Sequence, residues 1–191
     1  FICLMIEWII IIIALAIIGF AIMAIYYWNR IIVLENTIDN SWSQIDVQLK
    51  RRADLVPNLV ETVKGYMKHE KNAIKMVTQS REKMMKAGSV GAKIKAGNEL
   101  TSALKTIFAL AENYPNLKAN ENFLRLQDEL AGTENRIAVA RRRYNESVKV
   151  YNKTIRSFPT NMIAGLFNFQ QQEYFEVPEE VKEVPQVNFE K

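Results

Sequence analysis

The feature that most constrains this chain is an uncharged run of 22 residues, WIIIIIALAIIGFAIMAIYYWN, between Glu7 and Arg30. As a helix rising about 1.5 Å per residue, it is long enough to cross a hydrocarbon core of roughly 30 Å. Trp8 stands at one end and Tyr26, Tyr27 and Trp28 at the other, where aromatic belts form; Arg30 is the first cation beyond them. A secretory signal would carry a basic stretch ahead of a shorter apolar run and a small-residue cleavage site after it, and this segment fits that pattern poorly. The expectation is a transmembrane helix over 8–29, with 1–7 as a short extracytoplasmic N-terminus. Lys and Arg lie only on the far side, at Arg30, Lys50, Arg51 and Arg52. The positive-inside rule then gives a single-pass cell-membrane protein with its N-terminus outside and the remainder cytoplasmic. Phe1 is not an initiator, and Met5 is a candidate natural start that leaves FICL as extra residues.

Beyond the apolar run, charge and rare residues narrow the classes further. From 30 to 175 the chain holds 23 basic and 15 acidic residues, a basic balance compatible with an anionic membrane surface or nucleic acid. Residues 176–191 hold five acidic and two basic residues with Pro178 and Pro185, and read as a disordered acidic tail. One cysteine, Cys3, excludes an intrachain disulfide framework, and one histidine, His69, excludes multi-histidine metal sites.

The region after the anchor has helical periodicity and no strand signal. Ile38, Trp42, Ile45, Leu49, Val56, Leu59, Val63 and Tyr66 alternate steps of four and three, a stripe that only Arg52 interrupts. Pro57 either kinks one long helix or separates two, the second capped by Asp54; the unbroken phase favours the kink. The pattern continues to about Lys86, AGSVG at 87–91 supplies a turn, and a helix is expected over 92–112 with Ile94, Leu100, Leu104, Ile107, Phe108 and Ala111 on its apolar side. Pro115 stops it. A long helix then runs to about Ser157, with Phe123, Leu130, Ile137, Tyr144 and Tyr151 at seven-residue spacing, supported by Leu126, Ala140, Val148 and Ile155. The fold class is all-α: an N-terminal transmembrane helix followed by an antiparallel bundle of long helices, four-helix-bundle type, over 30–157. An apolar segment follows over 158–175.

Three blocks carry a resemblance: SWSQIDVQLKRRADLVPNLVETVKGYMKHE (41–70), NYPNLKANENFLRLQDELAGTENRIAVARRRYN (113–145) and IRSFPTNMIAGLFNFQQQEYF (155–175). Together they resemble the LemA family from the anchor to about Phe175. The resemblance implies a single-pass membrane protein with a soluble antiparallel helical bundle. It implies no particular catalytic activity, and through relatives in membrane-bounded compartments such as magnetosomes it points to membrane organisation.

No enzyme class finds its residues here. A carboxylate-bridged di-iron bundle needs Glu-x-x-His pairs, and none occurs. There is no GxSxG, no Gly-rich phosphate loop and no HRD or DFG. His69 reads as an exposed residue late in an amphipathic helix. The runs KRR (50–52) and RRR (141–143) fan around a helix rather than forming one basic face, and lack aromatic residues set to stack bases, so nucleic acid is not expected. No cofactor is expected either. The polar residues Arg51, Arg52, Asp54, Arg125, Asp128, Glu129, Glu134, Arg136 and Arg141 are therefore assigned to contacts between helices or between identical subunits. Met162, Ile163, Leu166, Phe167 and Phe169 are assigned either to the membrane surface or to a cap on the bundle core. The expected function is a membrane-anchored, non-enzymatic helical-bundle scaffold, held in the lipid bilayer, that self-assembles into a homo-oligomer at the membrane and has a role in membrane organisation. The alternative is a monomeric membrane-tethered adaptor for another membrane or signalling protein.

Overall fold

The protein is described by a computed structural model over residues 2–175, with side chains from Ile6 onward. Residue 1 and the acidic tail 176–191 lie outside the described residues. The secondary structure is helical, with no strand among the described residues: α1 (Ile2–Lys64), α2 (Lys71–Lys86), α3 (Val90–Ala111), the single turn α4 (Pro115–Lys118), α5 (Glu121–Arg156) and α6 (Thr160–Leu166). These fall into two compact units. One comprises residues up to Asn40 together with those from Tyr144 on, and the other is Ser41–Arg143.

Within Ser41–Arg143, residue pairings give the topology. Arg52 meets Thr133 and Gln48 meets Arg136, so α1 and α5 run antiparallel. Asp46 meets Lys93 while Arg52 meets Thr101, so α1 and α3 run parallel. Lys83 on α2 pairs with Glu99 on α3. The result is an up-down-up-down bundle. Its core is the anticipated stripe: Ile45, Leu49, Val56, Leu59 and Val63 are buried, as are Leu100, Leu104, Ile107, Phe123, Leu126, Leu130 and Ile137. Each fully buried aliphatic side chain contributes about 1.5–3 kcal/mol. Gly97 brings α3 close, because a Cβ there would lie 2.9 Å from Leu49 Cδ2.

Helix α1 passes through Pro57 without a break. Proline lacks the N–H that would bond Ala53's carbonyl four residues back. Arg81 on α2 fills the vacancy, its Nε donating to Ala53 O at 2.9 Å. Asp54 is accordingly an exposed mid-helix residue, not an N-cap.

Two expectations fail at the next turn. The helix does not continue to Lys86 but ends at Lys64, with Gly65, a poor helix former, opening the turn that follows. Met67, whose N–H donates to Val63 O at 2.8 Å, is fully buried in place of Tyr66, which is 40% exposed. His69 lies in this turn rather than late in a helix, and is exposed. Further on, Ser89 Oγ caps α3 by accepting from Ala92 N–H, and Asn120 Oδ1 caps α5 by accepting from Phe123 N–H.

In the other unit, Ile31 and Ile38 of α1 are buried, as are Tyr144, Val148, Tyr151 and Ile155 of α5. Helix α6 buries Thr160, Ile163 and Ala164. Asn168 then takes a left-handed φ of 57°, which asparagine tolerates better than most residues, and turns the chain into an extended segment.

Candidate functional site

Arg52 occupies the heptad position between Ile45 and Leu59, where an apolar residue is expected, and is only 1% exposed. A buried guanidinium is costly unless its donors are used. Here each of its three nitrogens lies near an oxygen. Nη1 donates to Thr101 Oγ1 on α3 at 2.5 Å, and Nε donates to Thr133 Oγ1 on α5 at 3.2 Å. Nη2 lies 2.5 Å from Glu134 Oε2, an ion pair rather than an aligned hydrogen bond.

The two threonines are committed acceptors. Thr101 spends its hydroxyl proton on Gly97 O at 3.0 Å, and Thr133 spends its own on Leu130 O at 2.7 Å. Each hydroxyl has one proton, so only lone pairs remain to face Arg52. One side chain thus ties α1, α3 and α5 together.

Arg141 completes the cluster, donating from Nη2 to Asn98 Oδ1 on α3 at 3.0 Å. Burial lowers both arginines below their ordinary pKa, while the Glu134 carboxylate opposes the shift; for Arg141, the Arg52 charge adds to the lowering. The Glu134 carboxylate thus pairs with Arg52 and acts on Arg141 through its field. A cavity of about 230 Å³ opens beside Arg52, lined among others by Leu104, Phe108, Gln127 and Glu134. Arginine stays protonated in proteins, so the cluster offers no acid–base group at Arg52 or Arg141. Among the described residues no three His, Cys, Asp or Glu side chains gather as metal ligands would. What this arrangement can do is fix helix register.

The other sequence-assigned residues divide sharply. Arg136 Nε donates to Gln48 Oε1 at 3.1 Å, joining α5 to α1. Arg51, Asp54, Arg125 and Asp128 are exposed and Glu129 is half-buried; none makes an ion pair or hydrogen bond with another described residue. Between α1 and α5 runs a groove of about 590 Å³, with Val47, Gln48, Arg136 and Val139 in its walls. Val47 is 62% exposed there.

Of the residues that the sequence assigns to an anchor, Trp8, Tyr26 and Arg30 are exposed, while Tyr27 and Trp28 are half-buried. Trp28 meets Phe167 and Phe169 edge-to-face, with ring centroids 4.3 and 5.2 Å apart. Ile163 is buried, whereas Met162 and Leu166 are exposed.

A second polar construction was not anticipated. The extended segment after Asn168 is held along α5 by side chains that act like the edge of a strand. Asn145 exchanges two hydrogen bonds with the backbone of Phe175, at 3.1 and 2.8 Å. Asn152 does the same with Gln172, at 2.8 and 2.9 Å. Tyr144 and Tyr151 donate to Glu173 O and Gln170 O. Seven helical residues and three extended residues each span about 10 Å, so the spacing matches at both pairs. Burial raises the pKa of both tyrosines, with nearby carboxylates adding to it.

A family model described as the LemA family matches residues 41–189. Magnetosome protein MamQ 2 of Paramagnetospirillum magneticum is 23% identical over 85% of this chain and 69% of its own length. Magnetosome protein MamQ of Magnetospirillum gryphiswaldense is 23% identical over 84% of this chain and 69% of its own length. Protein LemA of Metamycoplasma hominis is 26% identical over 79% and 69%. With the model covering well over half its length, and with α1 long and apolar enough to cross a membrane, this chain belongs to the LemA family.

Proposed function

We propose that this protein is a membrane-anchored, non-enzymatic helical-bundle scaffold that self-associates and organises the membrane holding it. The anchor is the span 8–29, with its N-terminus outside and the bundle in the cytoplasm, because Lys and Arg lie only after it. Similarity to proteins named for the magnetosome supports the membrane role.

The observation carrying self-association is the division among the polar residues. Arg52, Glu134, Arg136 and Arg141 are used inside the bundle, while Arg51, Asp54, Arg125, Asp128 and Glu129 have no partner among the described residues. Complementary charges left outside a folded bundle set orientation and partner choice between copies. Confinement by the anchor raises effective concentration without any new contact.

Charge reversal tests this. Arg125→Glu should lower the mass of the detergent-extracted assembly, and adding Asp128→Arg should restore it. If reversals at all five positions leave the mass unchanged, the charges do not dock copies. The groove with exposed Val47 supports a second reading, a monomeric adaptor whose partner lays an apolar helix there. In that case a Val47→Glu variant loses the partner and keeps its own mass.

A further inference from the structure

The unit containing the anchor carries an apolar surface that the fold leaves uncovered. Phe158 is 80% exposed, Met162 53%, Leu166 67% and Phe167 48%. Helix α6 is two-sided: Thr160, Ile163 and Ala164 face inward, while Met162 and Leu166, four residues apart, share the outer face. From Ser157 to Gln172 there is no charged residue. Soluble surfaces rarely gather four large apolar side chains in so short a stretch without a partner.

The position of this patch relative to the anchor is set by contact. Phe167 packs on Trp28 and shares a cavity wall with Ala24 and Ile25. Trp28 is the last aromatic residue of the uncharged run, the level at which a spanning helix leaves the hydrocarbon. A side chain touching Trp28 therefore stands at the bilayer interface. Exposed cations lie close in sequence: Arg30 follows Trp28 by two residues, and Lys153 and Arg156 form the last turn of α5 just before Phe158.

We propose that residues 158–167 form a second membrane contact, a short amphipathic foot inserted at shallow depth into the same bilayer that α1 crosses. The proposal rests on the reading of α1 as a membrane span. Lipid is the occupant because the patch is continuous with the anchor's aromatic belt and flanked by cations that suit anionic headgroups. Span and foot together restrain this unit from swivelling about a single helix.

The test uses full-length protein in vesicles of phosphatidylcholine and phosphatidylglycerol. In a Cys3→Ser background, an environment-sensitive fluorophore is placed by Ile17→Cys, Leu166→Cys or Ser102→Cys. Quenching is read with lipids brominated near the headgroup, lipids brominated near the chain ends, and aqueous iodide. The label at 17 should be quenched by chain-end bromines, the one at 102 by iodide alone, and the one at 166 by headgroup-proximal bromines with several-fold weaker iodide quenching. If 166 behaves like 102 while 17 is quenched by lipid, the foot is refuted and the span stands. If 17 also escapes lipid, the span reading fails and the foot falls with it. A second variant guards against misfolding. Phe158→Glu with Leu166→Glu alters only exposed positions, so helicity should be unchanged, and a label from Met162→Cys should move from lipid to iodide quenching. Undiminished lipid quenching in that variant would also overturn the proposal.

Discussion

The two units hold long helices by different chemistry. In Ser41–Arg143 a single charged residue, Arg52, sits in the apolar stripe and reaches α3 and α5. In the unit containing Asn145 and Asn152, neutral amides and phenols pair with backbone along an extended segment. The contrast separates two tasks. A buried ion cluster tolerates few alternative alignments, because any slip strands a charge. A ladder of side chains on backbone has no charge at stake and gives way one rung at a time.

On that contrast, Arg52→Ala should be the most damaging single change. Removing one member of a buried ionic cluster costs about 3–5 kcal/mol. The lower end applies here, since the Glu134 side chain is 42% exposed and can be resolvated. Thermal unfolding in mild detergent, followed by circular dichroism, measures it. The double variant Arg52→Met with Glu134→Met sharpens the comparison: replacing both members of the ion pair by apolar chains of similar length should restore stability to within about 1 kcal/mol of the native protein. Equal losses for both variants would mean that the damage comes from lost packing and hydrogen bonds of Arg52 rather than from a stranded charge.

Next in size is Asn152→Ala, which removes both hydrogen bonds to Gln172 at a cost of about 2 kcal/mol. The loss should be local: faster amide exchange at Gln172 and Phe175, with little change in the global transition. Global unfolding at lower temperature would erase the distinction between the units.

Pro57 and Arg81 give a smaller, coupled effect. Arg81→Ala strands Ala53's carbonyl at about 1 kcal/mol, whereas Pro57→Ala supplies the missing N–H and should make Arg81 dispensable. Additive losses would contradict the pairing. The smallest effect is alkaline. Burial raises the pKa of Tyr144 and Tyr151, so their contribution is complete below the ordinary tyrosine value near 10. It fades as pH rises through that value toward the folded one. Tyr151→Phe, which cannot ionise, should flatten the alkaline release of Gln170 as read by amide exchange.

Much of this was legible in the residues. The seven-residue spacing from Phe123 to Tyr151 yields α5 and its buried face, since periodicity reports which side meets the core. Arg52 showed itself as the single break in its stripe. Its partners did not, although Thr133 stands in register between Leu126 and Ala140, where a polar residue needs a reason. Asn145 and Asn152, also seven apart, carried the signal for the ladder. Their role was hidden because the segment they hold is far along the chain and has no periodicity of its own. The break at Gly65 is masked in the sequence because apolar phase persists across the turn through Met67.

The most direct measurement of the central claim is the mass of the full-length protein in mild detergent, by light scattering or mass photometry. A discrete particle of several chains is the predicted result, and Arg125→Glu should reduce it. A monomer at every concentration would contradict the scaffold and leave the exposed charges for a different partner.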